Sequence, residues 1–151
     1  MFASKDWQIL PTQHLGTGIS ARARSGGATN YLAGDPNTYP METYLVARGS
    51  GPRLPWTFGM DLQISYRVGM AKGIALSITA DVFNALNLQG VTNRDQEYTT
   101  DSVIATEGTP VSDLNKIKNH DGATISKKPG FGSDTGYQDP RVFRFGVRGE
   151  F

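Results

Sequence analysis

Cysteine is absent from the 151 residues, which removes disulfide scaffolds, thiolate metal sites and a cysteine nucleophile together. The only two imidazoles, His14 and His120, are far apart, one beside a turn and one in a loop rich in Asn and Gly. They read as solvent-exposed polar residues, and no nucleophile in a strained, supported turn accompanies them. The expectation is a chain that is not an enzyme and needs no cofactor or metal. Excess charge of one sign is also missing, because 15 Lys and Arg stand against 14 Asp and Glu. A nucleic-acid or anionic-surface partner does not follow from that balance.

Long apolar runs are missing too. In the central region the uncharged stretch at residues 73–80 falls far short of the roughly 20 apolar residues of a membrane-spanning helix. The opening Met1-Phe2-Ala3-Ser4-Lys5-Asp6-Trp7 has no basic region followed by an apolar segment, so no export signal is expected in it. With 38% apolar residues and 18 glycines, the length would permit one domain, but the pattern is not that of an ordinary single core.

What is present is alternation at a period of two, the signature of strands with two unlike faces. In residues 57–68, Phe58, Met60, Leu62, Ile64, Tyr66 and Val68 alternate without exception with Thr57, Gly59, Asp61, Gln63, Ser65 and Arg67. Residues 74–84 set Ile74, Leu76, Ile78, Ala80 and Val82 against Ala75, Ser77, Thr79, Asp81 and Phe83, where only Ala75 and Phe83 soften the polar face. The end of the chain sets Phe143, Phe145, Val147, Gly149 and Phe151 against Val142, Arg144, Gly146, Arg148 and Glu150. A weaker case turns Leu15, Thr17, Ile19, Ala21 and Ala23 away from Gly16, Gly18, Ser20, Arg22 and Arg24, and Trp7-Gln8-Ile9-Leu10 reads as the tail of one more strand.

The chain is therefore expected to be all-β, with antiparallel strands near 16–25, 57–68, 73–84 and 141–151. The two central strands should form a hairpin over residues 69–73, and the last strand should lie beside residues 73–84. Connections alternate between short and long. The link through Pro11 and the turn at 69–73 are tight, whereas residues 26–56 and 88–140 exceed the roughly 15 residues usual for a loop in a compact domain. They are rich in Gly, Asn, Asp, Thr and Pro, as in Gly34-Asp35-Pro36-Asn37 and Asn119-His120-Asp121-Gly122, and read as turn chemistry exposed to water.

Short turns at one end and long loops at the other are the habit of outer-membrane barrels. Strands of about 11 residues at roughly 3.3 Å each, tilted by about 45°, span roughly 25 Å, the height of a barrel's apolar band. The fold class expected is a partial up-and-down transmembrane β-barrel, four to five strands with two long extracellular loops, and Phe151 at the periplasmic rim. Trp56, Phe58, Tyr66, Phe143 and Phe151 would form its interfacial aromatics. A soluble β-sandwich binding module, for carbohydrate or another ligand, is the alternative, since period two alone does not separate core from lipid.

Arg53-Leu54-Pro55-Trp56-Thr57, the segment Asp81-Val82-Phe83-Asn84-Ala85-Leu86-Asn87, and Gly136-Tyr137-Gln138-Asp139-Pro140-Arg141 running on to Phe151 resemble the final strands of Oar-like TonB-dependent receptors. That resemblance covers most of the chain. It implies that residues 1–151 are the C-terminal portion of a receptor barrel of about 22 strands closed by an N-terminal plug, with plug, N-terminal domains and TonB-contacting box outside this chain. The location implied is the bacterial outer membrane, and the role implied is energised nutrient uptake by the full-length parent. Implied partners are outer-membrane lipid, the rest of the barrel and plug, the TonB system through the missing part, and the barrel assembly machinery, which would read Arg144, Gly146 and Phe151. Gly149 stands where a hydrophobic residue is usual.

Candidate site residues follow from the polar faces. Asp61, Arg67, Asp81, Arg144 and Arg148 would turn toward a wet lumen, to pair with the plug or to solubilise. Asp95, Glu97, Asp101 and Glu107 lack the alternating oxygen pattern of a calcium loop and are expected to be solvated loop charge.

Overall fold

The residue-by-residue alternation of Thr57–Gly69 is realised as strand β5, whose Phe58-to-Val68 and Thr57-to-Arg67 series fall on opposite faces because successive side chains of a strand point to opposite sides. Around it, β1 (Phe2–Leu10), β2 (Gln13–Arg24), β6 (Ala75–Phe83) and β10 (Val142–Glu150) complete an antiparallel sheet in the order β1-β2-β5-β6-β10. This computed structural model describes residues 1–34, 42–70, 73–103 and 109–151. The chain divides into two units, one of residues 1–24, 57–90 and 138–151 that holds this sheet, the other of residues 25–56 and 91–137.

The two hairpin pairings, β1–β2 and β5–β6, each have a local cause. Pro11 and Thr12 make the two-residue turn between β1 and β2, with fixed proline φ starting the reversal. The β5–β6 hairpin is closed by Met70 N–H donating to Ile74 O at 2.6 Å, and Gly73 takes φ +82°, a conformation a side chain would penalise. Residues 71 and 72 of the expected turn lie outside the described residues. β10 lies beside residues 73–84 as expected, pairing with β6 from Val142↔Phe83 to Glu150↔Ala75.

Two sequence expectations need correction. The tail of a strand at residues 7–10 is a nine-residue strand from Phe2, paired with β2 along its length. Phe2 on the polar face and Lys5 on the apolar one had disguised it. The long connections, expected as water-exposed turn chemistry, instead build a unit with its own core: Ala33, Leu45, Val46, Val103, Leu114, Ile117 and Ile125 are buried, with Tyr31 and Tyr98 packed on them. Burying such aliphatic side chains stabilises by about 1.5–3 kcal/mol each, enough to order segments rich in glycine. The segment Gly34-Asp35-Pro36-Asn37 falls mostly outside the described residues, while in the turn at Asn119 to Gly122 the residues His120, Asp121 and Gly122 are exposed as expected and Asn119 is half-buried.

In this second unit β3 (Leu32–Gly34) lies between β4 (Glu42–Tyr44), antiparallel, and β8 (Glu97–Thr99), parallel. β7 (Val91–Arg94) pairs with β9 (Asp134–Tyr137). A 3₁₀ turn, Val111–Lys116, contributes Leu114 to the core.

Candidate functional site

The five-stranded sheet has a polar face and an apolar one, and each is continuous across the strands. Register places Arg67, Ser77 and Arg148 in one row, Ser65, Thr79 and Gly146 in the next, and Gln63, Asp81 and Arg144 in a third. Asp6, His14, Gly16, Ser65, Arg67, Ser77, Thr79, Arg148 and Glu150 line a concavity of about 480 Å³ on that polar face. Glycine keeps it open: a Cβ on Gly16, which lines it, would meet Asp6 Oδ1 at 2.9 Å, and one on Gly146 beside it would meet Thr79 Oγ1 at 2.7 Å.

All five lumen-facing candidates lie on this face, and each has an ionic partner. Arg22 Nη2 approaches Asp61 Oδ2 at 3.4 Å. Arg67 Nη2 donates to Glu150 Oε2 at 2.6 Å, reaching across β6, where Ala75 and Ser77 are too small to obstruct it. Arg148 Nε stands 3.5 Å from the other oxygen of Glu150. Asp81 is buried to 8% side-chain exposure, and Arg144 covers it with contacts of 2.9 Å from Nε and 2.8 Å from Nη2. The same guanidinium lies 5.0 Å from the Phe83 ring centre, which accounts for an aromatic on the polar face. The pairs between exposed groups contribute little to stability; Asp81, largely out of water, is the one whose partner matters.

On the opposite face, Trp7, Ile9, Ile19, Phe58, Leu62, Ile64, Ile78, Phe143, Phe145 and Val147 are exposed, with Phe145 at 76% and Val147 at 74%. A face of this kind is what a sandwich would bury, yet here it stays open to solvent, and the apolar core lies in the other unit. Tyr66 on this face donates its hydroxyl to Gln13 Oε1 at 2.7 Å. Trp56 is exposed but belongs to the second unit, not to the aromatic set on β5. Gly149 has nothing within 4 Å of where a Cβ would be, and Phe151 is fully exposed beyond the end of β10.

At one end of the sheet a polar network joins β5, β6 and the residues preceding β10. The residues 81–83 are legible as strand, whereas the signal for the turn beyond them is the pair Asn84 and Asn87 just after the strand, a residue type that bonds to its own backbone neighbours. Asn84 has φ +48° and Asn87 φ +52°, a left-handed conformation that Asn tolerates better than most side chains. Asn84 Nδ2 donates to Leu88 O at 2.9 Å and Asp139 O at 2.8 Å, and Asn84 N–H donates to Asp61 Oδ1 at 2.9 Å.

In the second unit the imagined calcium ligands are otherwise engaged. Lys128 Nζ lies 3.1 Å from Asp95 Oδ2 and also contacts Glu97 Oε2, so an ammonium stands where a cation would. These carboxylates raise the Lys128 pKa above its ordinary value, the Glu97 hydrogen bond being the larger cause. Asp101 accepts from Ser126 N–H at 2.8 Å and from Thr99 Oγ1 at 3.1 Å, and the backbone bond from Ser126 holds its carboxyl below the usual value. Solvated charge was the expectation, and for these three the correction is that they staple residues 95–101 to 126–128. Glu107 lies outside the described residues. The two histidines are both exposed and fall in different units.

The chain is thus an all-β protein whose principal sheet is antiparallel, with one charged face and one exposed apolar face. It is 30% identical over 164 residues to the TonB-dependent transporter Oar of Myxococcus xanthus, an alignment that takes in the whole chain and 16% of that protein's length. It is therefore a distant relative of a TonB-dependent transporter, of which it spans about a sixth. No family model matches the chain. No solved structure matches it either.

Proposed function

We propose that the chain is wall from the C-terminal part of an Oar-like TonB-dependent transporter barrel in the bacterial outer membrane. It contributes to energised nutrient uptake by the full-length parent and carries out no enzymatic reaction. The observation that supports this best is the division of the sheet into an open apolar face, with Ile64, Ile78, Phe145 and Val147 exposed, and a polar face with Asp61, Arg67, Asp81, Arg144 and Arg148. Apolar area left in water forgoes about 25 cal/mol per Å², whereas lipid tails cover such a face and a barrel lumen hydrates the other.

Single-chain barrels need at least about 8 strands to close, so β1 and β10, the two edges of the sheet, pair with further strands of the parent. Unpaired edges would otherwise recruit other chains. The polar face then meets the plug, the apolar face meets lipid, and TonB acts through the N-terminal part of the parent. The assembly machinery reads Arg144, Gly146 and Phe151, and nucleic acid is not a partner.

The reading is tested by comparing Ile78→Arg with Thr79→Arg in the parent barrel, by reversible unfolding in lipid vesicles. A basic residue facing lipid at mid-depth costs about 2–4 kcal/mol and much less facing a wet lumen. Ile78→Arg should destabilise strongly and Thr79→Arg weakly; equal losses would contradict the assignment of faces.

A further inference from the structure

The pairing of β10 with β6 lacks what normally sets the register of neighbouring strands. In a hairpin the turn fixes the register, but residues 84–141 separate β6 from β10 and include all the second unit's residues after 90. A long connection imposes no register of its own. Facial patterning does not impose one either. A slip by one residue would invert the faces, but a slip by two keeps Phe143, Phe145 and Val147 on the apolar side and Arg144, Gly146 and Arg148 on the polar side.

Something else must choose among registers two residues apart, and the residues immediately before β10 are held in an unusual way. Gln138 N–H donates to Gly90 O at 2.9 Å. Its side chain accepts from Gly90 N–H at 3.1 Å and donates to Phe58 O at 2.9 Å. Asp139 O accepts from Asn84 Nδ2, and Arg141 N–H donates to Asn87 Oδ1 at 3.0 Å. Asn84 is itself anchored to β5 through Asp61, and Ala85 N–H donates to Met60 O at 2.7 Å. The bonds of Gln138, Asp139 and Arg141 tie the residues before β10 to Phe58 at the start of β5 and to the segment 84–90 that follows β6, and the bonds of Asn84 and Ala85 tie that segment back to β5.

We propose that Asn84 and Gln138 are the two jaws of a register clasp: the terminal strand is indexed from its first residue by the loop ends of β5 and β6, not by its own side-chain pairs. The opposition of Arg144 to Asp81 is then a consequence of the clasp. The clasp acts the same way whether the sheet faces lipid or water, so it does not rest on the transporter reading.

The absence of native cysteine makes cross-linking a clean test. Ile78 lies opposite Val147, and opposite Cβ atoms are about 4.5–5.5 Å apart while diagonal neighbours are about 7–8 Å apart. Cysteines at 78 and 147 should therefore oxidise in the native register, whereas the pairs 78/145 and 78/149 should close only after a two-residue slip. The full chain, folded in detergent micelles, is prepared with each pair in three backgrounds.

Asn84→Gly removes the side-chain bonds without straining a positive-φ backbone and should raise the slipped-to-native cross-link ratio about tenfold. Gln138→Ala, which leaves the Asn84 turn intact, should move the ratio the same way. Arg144→Ala, with the clasp intact, should leave 78/147 as the dominant cross-link. If Asn84→Gly prevents folding, Gln138→Ala carries the decision. Native cross-linking alone in the folded clasp variants, or slippage in Arg144→Ala comparable to theirs, would overturn the proposal.

Discussion

Arg144 stands directly across from Asp81 in the β10–β6 ladder and covers a carboxylate with 8% exposure, while its own side chain is 66% exposed. The asymmetry makes the two halves of the pair unequal. Arg144→Ala strips a nearly buried carboxylate of its ionic partner and should cost about 2 kcal/mol, the scale of an uncompensated, partly buried charge. Asp81→Asn leaves an arginine that water can reach and should cost under about 1 kcal/mol. Denaturant unfolding of the two variants checks the order; equal costs would mean that Asp81 is hydrated.

Gly146 and Gly149 both interrupt β10, on opposite faces and with opposite consequences. A methyl at position 146 points into the Thr79 hydroxyl at 2.7 Å, so Gly146→Ala should destabilise by about 1–2 kcal/mol unless Thr79 rotates away. At position 149 the space is empty, and Gly149→Tyr should be tolerated. In the parent, Gly149→Tyr should raise the yield of folded barrel and deletion of Phe151 should lower it. Heat-modifiable gel mobility measures both; unchanged yield after Phe151 deletion would argue against a role of the chain end in assembly.

The second unit should respond to acid through Asp101. Its carboxyl is held below the ordinary value near 3.8 by the Ser126 backbone bond. A depressed folded-state value means that the stabilisation is present above the unfolded-state value and is lost as pH falls through the folded one. Asp101→Asn should therefore flatten the acid limb of the unit's stability profile and leave pH 6–8 little changed in slope. Lys128 has the opposite sign: its raised value means a contribution complete below 10.5 and lost only on further alkalinisation. Hydrogen exchange at residues 95–101, followed against pH, would reveal both limbs; acid loosening of equal size in Asp101→Asn would locate the sensitivity elsewhere.

Legibility in the sequence tracked how local the cause was. The faces of β5 could be read residue by residue because a strand between water and an apolar phase needs nothing but alternation, and Thr57 to Val68 supply it unbroken. The β6–β10 neighbourhood was legible for the same reason. β1 was legible only from Trp7, since Phe2 and Lys5 sit on the faces their chemistry disfavours. The core of the second unit could not be read, because Leu45, Val46, Leu114 and Ile125 belong to no common period and meet only through long-range contacts. Of the site, the residues on the polar face were legible, but their partners were not: Arg67 to Glu150 crosses an intervening strand, and Asn84 to Asp139 spans a connection that no spacing rule links.

In the proposed barrel wall the Ile78 face of the sheet lies against lipid and the Thr79 face against water. Single cysteines placed at 78 and at 79 in the parent barrel, each carrying the same fluorophore, can be exposed to a quencher confined to the hydrocarbon phase of vesicles. Strong quenching at 78 with little at 79 is the predicted result. Equal quenching at both positions, or none at either, would contradict it.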